Sequence, residues 1–230
     1  MSHSRCRAGV LACALLALAA CNRSAEPAAA GQPAPALVPS TADERPKIVA
    51  LGDSLTAGNG LLETESFPAL LQQRIDTSGY EFEVINAGVS GDTSAGGLRR
   101  LDWVLTDDVR VVIVALGAND GLRGLSVDQM KRNLSAIIER VRAKGAFVIL
   151  AGMEAPPNYG PEYAAAFRAA YADVARQHRV TFVPFLLQGV AGVSHLNQGD
   201  GIHPTAEGTE RVAETVWKAL IPILDQLAKS

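Results

Sequence analysis

Five short apolar runs are spaced along the chain at residues 47–51, 82–86, 109–116, 146–151 and 180–184. Between them lie stretches whose apolar residues recur at helical spacing. This strand–helix alternation constrains the fold more than any other feature. It argues for one parallel sheet covered by helices on both faces, because parallel strands need crossovers and the crossovers bury the sheet. The run 109–116 is apolar almost throughout and rich in valine, as a central strand buried on both faces must be. The helices carry their own start signals. Ser66 precedes Pro68 in a first turn, Ser126 and Gln129 form a capping-box pattern, and Thr205 opens the last helix. Leu70, Leu71 and Ile75 form the inward stripe of the first helix. Met130, Leu134, Ile137, Ile138 and Val141 form that of the helix after Ser126. Tyr163, Phe167, Tyr171 and Val174 face inward on 161–178, and Val212, Val216, Trp217, Leu220 and Leu224 on the last helix.

In such a sheet the segments after the strands meet at one edge, and ligands bind there. After the first run comes Gly52-Asp53-Ser54-Leu55. After the second comes Ser90-Gly91-Asp92-Thr93-Ser94, and after the third Gly117-Ala118-Asn119-Asp120. The fourth is followed by Met153-Glu154-Ala155-Pro156-Pro157. The fifth, after a long irregular stretch, is followed by Asp200-Gly201-Ile202-His203-Pro204. Ester hydrolysis needs a nucleophile, a base, a group that orients the base, and donors for the oxyanion. Ser54 can be the nucleophile. Of the four histidines, His203 has an acidic residue three positions earlier, Asp200, a spacing that lets a carboxylate reach the imidazole in a turn. His195 is the alternative base, with a surface loop position as its plainer reading. The N–H groups of Ser54 and Gly91 and the amide of Asn119 can supply oxyanion donors. Asp53 is read as a turn-holding residue and not as the catalytic acid. Asp92 and Asp120 are read as loop-fixing residues. Asp120, Asp200 and His203 are metal-ligating types, but no second histidine stands at ligand spacing, so no metal site is expected.

Gly52-Asp53-Ser54-Leu55, Gly91 in Ser-Gly-Asp-Thr-Ser, Asn119 in Gly-Ala-Asn-Asp, and Asp200-Gly-Ile-His203-Pro together resemble the four blocks of the GDSL/SGNH hydrolase superfamily, in order. The stretches around 90–94, 119–124 and 157–160 further resemble its bacterial multifunctional acyl-CoA thioesterase, arylesterase and lysophospholipase subgroup. The resemblance implies a flavodoxin-like three-layer α/β/α sandwich with a five-stranded parallel sheet, acyl-ester or thioester hydrolysis, and no cofactor. It assigns Ser54 as nucleophile, His203 as base and Asp200 as its orienter, with Ser54, Gly91 and Asn119 around the oxyanion. Asp120, Leu122, Ala155 and Pro156 are expected to contact substrate. Ala155 stands where a larger apolar residue is expected, which leaves acyl-chain preference open. Residues 122–125, flanked by Gly121 and Gly124, read either as a lip over the acyl chain or as a plain helix lead-in. No Gly-x-Ser-x-Gly elbow occurs, which argues against an α/β-hydrolase. The alternatives are a carbohydrate O-deacetylase on the same residues and a catalytically silent binding module.

Residues 1–20 do not read as part of the fold. Arg5 and Arg7 form a basic start, and residues 9–20 form an apolar segment too short to span a bilayer. The segment ends Leu18-Ala19-Ala20-Cys21, which resembles the lipobox of bacterial lipoproteins, with cleavage before Cys21 and lipidation of that cysteine. An ordinary signal peptide is the plainer reading. Residues 21–46, rich in Ala and Pro, read as a linker, and 47–230 as the hydrolase domain. With Cys6 and Cys13 removed with the leader, only Cys21 remains, so the exported domain is expected to rely on its core and not on disulfides. The expected location is the periplasmic side of the envelope. Asn22, not aspartate, follows Cys21, which points to the outer membrane. The net charge of −3 gives no reason to propose nucleic acid as a partner.

Overall fold

The computed structural model describes residues 45–229. The leader, Cys21 and the linker up to residue 44 lie outside the described residues. Five strands form the sheet: β1 (Lys47–Gly52), β2 (Glu83–Gly88), β3 (Val109–Ala115), β4 (Phe147–Ala151) and β5 (Thr181–Val183). Their order is β2-β1-β3-β4-β5, and every neighbouring pair is parallel. This is the doubly wound order expected. β1, β3 and β4 are almost wholly buried, whereas β2, at the edge, carries Glu83 and Asn86 and is only partly covered.

Among the described residues seven α-helices surround the sheet: α1 (Ser54–Ala57), α2 (Phe67–Thr77), α3 (Ser94–Val104), α4 (Ala118–Leu122), α5 (Val127–Ala143), α6 (Pro161–His178) and α7 (Ala206–Leu227). α2 packs on α7 over one face, and α3, α5 and α6 pack in a row over the other. The result is a three-layer sandwich. The expected caps form at Ser66, Ser126 and Thr205, and Thr93 adds one. The capping box at Ser126 is only half made, because the Gln129 side chain bonds Asn133 and Arg132 instead of reaching back. Ser66, Thr93, Ser126 and Thr205 each accept a backbone N–H from the first turn of α2, α3, α5 and α7. The inward stripes are buried as the periodicity requires, with three adjustments. Tyr163 is only partly buried at the start of α6. Leu70 is only half-buried, and Trp217 sits at the margin of α7, where its ring meets Tyr80 edge-on at 6.3 Å.

Two helices, α1 and α4, replace what the sequence presents as loops. At 4 and 5 residues they are too short to display a period. β2 runs on to Gly88, two residues past the apolar stretch, because its partner β1 continues to Gly52 and pairs with it. Among the described residues no helix is long and apolar enough to cross a membrane.

Candidate active site

The site lies at the carboxyl edge, where β1 and its neighbour β3 send their chains to opposite faces of the sheet. Gly52 and Gly88, paired at the ends of β1 and β2, allow α1 to sit directly on that edge. A Cβ on Gly52 would fall 1.9 Å from Thr56 Oγ1, and one on Gly88 would fall 2.2 Å from the Ala57 nitrogen. Asp53 caps α1 by accepting the Leu55 N–H at 3.0 Å, which fixes Ser54 as the first helical residue.

Three side chains then form a hydrogen-bonded chain. The Ser54 hydroxyl donates to His203 Nε2 at 2.8 Å, and His203 Nδ1 donates to Asp200 Oδ2 at 2.6 Å. A carboxylate only accepts, which settles the imidazole tautomer as Nδ1–H and leaves Nε2 as the acceptor. The other Asp200 oxygen accepts the N–H groups of Ile202 and His203 at 2.9 and 3.0 Å. The bond to His203 Nδ1, helped by these two N–H groups, holds the Asp200 carboxyl well below the usual carboxylate range.

The long irregular stretch before His203 is organised for this purpose. Asn197 bridges to Pro204, and the Gln198 N–H donates to the His203 carbonyl at 2.7 Å. The Gln198 side chain donates to the carbonyls of Asn59 and Pro204, each at 2.8 Å, and so ties the histidine turn to the segment that follows Ser54. Only the chain's return across 139 residues reveals Gln198; its sequence context carries no signal.

Asn119 is the second residue of α4. Its amide donates to Asp53 Oδ2 at 3.3 Å and lines the cleft. Gly91 lines the cleft from the opposite side, on the turn after β2. Its N–H has no acceptor among the described residues. Ser54, Gly91 and Asn119 thus reach one cleft of about 600 Å³, with Leu122, Met153, Ala155, Pro156, Phe185 and Leu187 as its apolar lining. An apolar cleft with a few convergent polar groups suits a small acyl ligand.

Among the expected substrate contacts, Leu122, Ala155 and Pro156 line this cleft and Asp120 does not. Asp120 is 3% exposed and accepts both the Ser94 N–H and hydroxyl, at 2.8 and 2.6 Å. Asn133 of α5 adds a bond to the Ser94 hydroxyl. The expectation that Asp120 contacts substrate is therefore corrected. Its carboxylate is consumed in fastening α4 to α3, which agrees with the loop-fixing reading. Residues 122–125 are tied down by tyrosines, since Tyr159 and Tyr163 donate to the carbonyls of Leu122 and Leu125. His195 lies beside Glu207 on an exposed turn, and His203 occupies the position against Ser54. No three His, Cys, Asp or Glu side chains converge as a metal site among the described residues.

With this geometry in hand, comparison with known proteins is decisive. Residues 50–211 match the model of the GDSL-like lipase/acylhydrolase family. The chain belongs to this family. It is 46% identical over 178 residues to the esterase TesA of Pseudomonas aeruginosa, covering 77% of this chain and 89% of that protein. It is 37% identical over 179 residues to thioesterase 1/protease 1/lysophospholipase L1 of Escherichia coli K12, covering 77% of this chain and 85% of that one. The crystal structure of TesA superposes with a TM-score of 0.74 at 45% identity, covering 77% of this chain and 99% of TesA. The matched range, 50–211, contains all five strands from β1 at Ala50 onward and the residues Ser54, Gly91, Asn119, Asp200 and His203.

Asp53 carries a cost that this GDSL hydrolase can be made to report. The side chain is 1% exposed, and burial pushes its carboxyl up to about 6, against the lowering effect of the Leu55 N–H and the Asn119 amide. A carboxyl whose pKa is raised by folding binds its proton more tightly in the folded chain. Its contribution therefore falls as pH rises from about 4 to about 6, and the full cost remains above that. The shift corresponds to about 3 kcal/mol as a ceiling. Asp53→Asn removes the charge and one of two acceptors. The expected result is a gain of about 1–2 kcal/mol in unfolding free energy at pH 8 and none at pH 4, once the lost hydrogen bond is subtracted. Turnover drops about tenfold, because Asn119 loses its acceptor. Urea unfolding at the two pH values checks this. An equal change at both would mean the buried charge is not responsible.

Proposed function

We propose that the domain is a serine esterase that cleaves acyl esters or thioesters through an acyl-Ser54 intermediate. The observation that carries this reading is the Ser54–His203–Asp200 chain, at 2.8 and 2.6 Å, opening on an apolar cleft that also receives the Gly91 N–H and the Asn119 amide. Ser54 Oγ attacks the acyl carbonyl carbon while His203 Nε2 takes the hydroxyl proton. The carbonyl π electrons move onto oxygen, which is met by the N–H groups of Ser54 and Gly91 and by Asn119. The tetrahedral intermediate collapses, the bond to the leaving oxygen or sulfur breaks, and His203 returns the proton to the leaving group. Water, deprotonated by His203, then attacks the acyl carbon; the bond to Ser54 Oγ breaks, His203 returns the proton to Oγ, and the carboxylic acid leaves. Asp200 keeps the imidazole in its Nδ1–H form and stabilises the imidazolium formed in each half-reaction.

The apolar lining supports an acyl chain as the bound group, and the arylesterase, thioesterase and lysophospholipase types remain the substrate classes proposed. Ala155, small and half-buried in the lining, leaves room along the chain-binding side. A panel of p-nitrophenyl esters and acyl-CoA thioesters of graded chain length tests the proposal. Turnover rising with chain length beyond acetyl is expected. Strict preference for acetyl groups on sugars would indicate the carbohydrate deacetylase instead. A chain that fails to react at Ser54 with a serine-directed phosphonate would be the silent binding module.

The Leu-Ala-Ala-Cys21 sequence supports export and lipidation at Cys21, with the domain held on the periplasmic side of the outer membrane. Metabolic labelling with a fatty acid should mark the wild-type chain and leave Cys21→Ser unmarked; label on both would overturn it.

A further inference from the structure

Gly91 presents its N–H from a turn, not from a strand or helix. Residues 89–92 close with the Asp92 N–H donating to the Val89 carbonyl at 3.0 Å, and Gly91 has φ +83 at the third position. This is a type II turn. Its central Ser90–Gly91 peptide can flip to the type I form with little movement of the turn's ends, and glycine permits both. A flip reverses the direction of the Gly91 N–H. The fold alone therefore leaves this donor less firmly aimed than the Ser54 N–H on α1 or the Asn119 amide held by Asp53.

Two guanidiniums bracket the turn. Arg100, on α3, donates through Nε to Asp92 Oδ2 at 2.6 Å and through Nη2 to the Gly52 carbonyl at 2.8 Å. Both side chains of this ion pair are largely buried, at 15% and 17% exposure. Gly52 ends β1 two residues before Ser54, and its carbonyl also accepts the Val89 N–H at 3.0 Å. One guanidinium thus joins the strand that delivers Ser54 to the residue following Gly91. Arg123 follows α4, four residues after Asn119, and donates through Nη2 to the Gly91 carbonyl at 2.9 Å. Neither arginine lines the cleft. Hydrogen bonds from a charged donor are stronger and shorter than neutral ones, and the planar fork fixes two acceptors at once.

We propose that Arg100 and Arg123 are positioning residues that hold the 89–92 turn in register with Ser54 and Asn119, so that the Gly91 N–H meets the oxyanion. The proposal rests on the reading of Gly91 as an oxyanion donor. α3 does not need the clamp in order to form, since Thr93 caps it and Leu101 anchors it in the core.

The test uses Arg100→Met, Arg100→Lys and Arg123→Met, each assayed for kcat and KM on a p-nitrophenyl ester and for thermal midpoint. Each is also titrated with a trifluoromethyl ketone. The Ser54 oxygen adds to the ketone carbon, its proton passes to His203, and the ketone oxygen becomes the oxyanion. The expected result is a kcat lower by roughly tenfold in Arg123→Met and up to about 100-fold in Arg100→Met, with KM within about twofold. Ketone affinity should fall by the same factor as kcat/KM, which a merely structural role would not produce. Arg100→Lys should recover part of the loss, since an ammonium reaches one of the two acceptors. If Arg100→Met does not fold, Arg123→Met, at the exposed position, carries the test. Unchanged kcat and ketone affinity in Arg123→Met and Arg100→Lys would overturn the proposal. So would a rise in KM alone, or losses accounted for by the unfolded fraction. Failure of the esterase reading looks different: wild type and Ser54→Ala would then be equally inactive.

Discussion

Replacing Ser54 by alanine lowers kcat/KM for p-nitrophenyl butyrate by at least about 10⁴-fold and leaves the fold in place. The hydroxyl makes one side-chain hydrogen bond, to His203, so its removal leaves unpartnered only Nε2 of an imidazole that keeps its bond to Asp200. α1 does not depend on it, because Asp53 supplies the cap and the Gly58 N–H closes the helix on the Ser54 carbonyl, which alanine retains. The residual rate reports what the Gly91 and Asn119 donors and binding contribute without a nucleophile. Release of p-nitrophenol, together with circular dichroism and the thermal midpoint, checks both halves. Activity above about a hundredth of wild type would sink the acyl-serine mechanism.

Asp200→Asn is expected to cost about 10⁴-fold in kcat and to be worse than Asp200→Ala, although asparagine is the closer replacement. Oδ1 of Asp200 accepts two backbone N–H groups, so an asparagine keeps its carbonyl oxygen there and turns its amide N–H toward His203 Nδ1. That donor demands an acceptor at Nδ1, which moves the imidazole proton to Nε2 and leaves nothing to take the Ser54 proton. Alanine imposes no tautomer. The turn would still be held by Gln198, and Nδ1–H can bond to water. Kinetics of the two variants side by side decide it; an asparagine variant as active as the alanine one would mean the tautomer is fixed elsewhere. The depressed Asp200 carboxyl also has a pH consequence. Its contribution to stability is present above the ordinary carboxylate range and is lost only as pH falls through its lowered value, so it stays ionised through the mildly acidic range in which Asp53 takes up a proton.

Most of the architecture was legible because long elements repeat a period. The run at 109–116 could only be a central strand, and α5 declared its buried face through Met130, Leu134, Ile137, Ile138 and Val141. Elements of four or five residues have no period to show, so α1 and α4 read as loops until Asp53 was seen capping one and Asp120 fastening the other to Ser94. Trp217 looked like core by spacing. A helix stripe marks only a direction, however, and at the margin of α7 the ring is partly buried, packed against the edge of the core and edge-on to Tyr80.

The sequence by itself determined the parallel sheet and the edge at which its loops gather, and it nominated Ser54, Gly91, Asn119, Asp200 and His203 as candidates, because alternation, turn chemistry and residue type are local. Only the tertiary structure decided which groups touch. It put His203 rather than His195 against Ser54, withdrew Asp120 from the cleft, and brought in Arg100, Arg123 and Gln198, whose partners lie 48, 32 and 139 residues away. Hydrogen bonds act over about 3 Å. Contacts between residues so far apart in the chain are fixed by how strands and helices pack, and no short stretch of sequence records that.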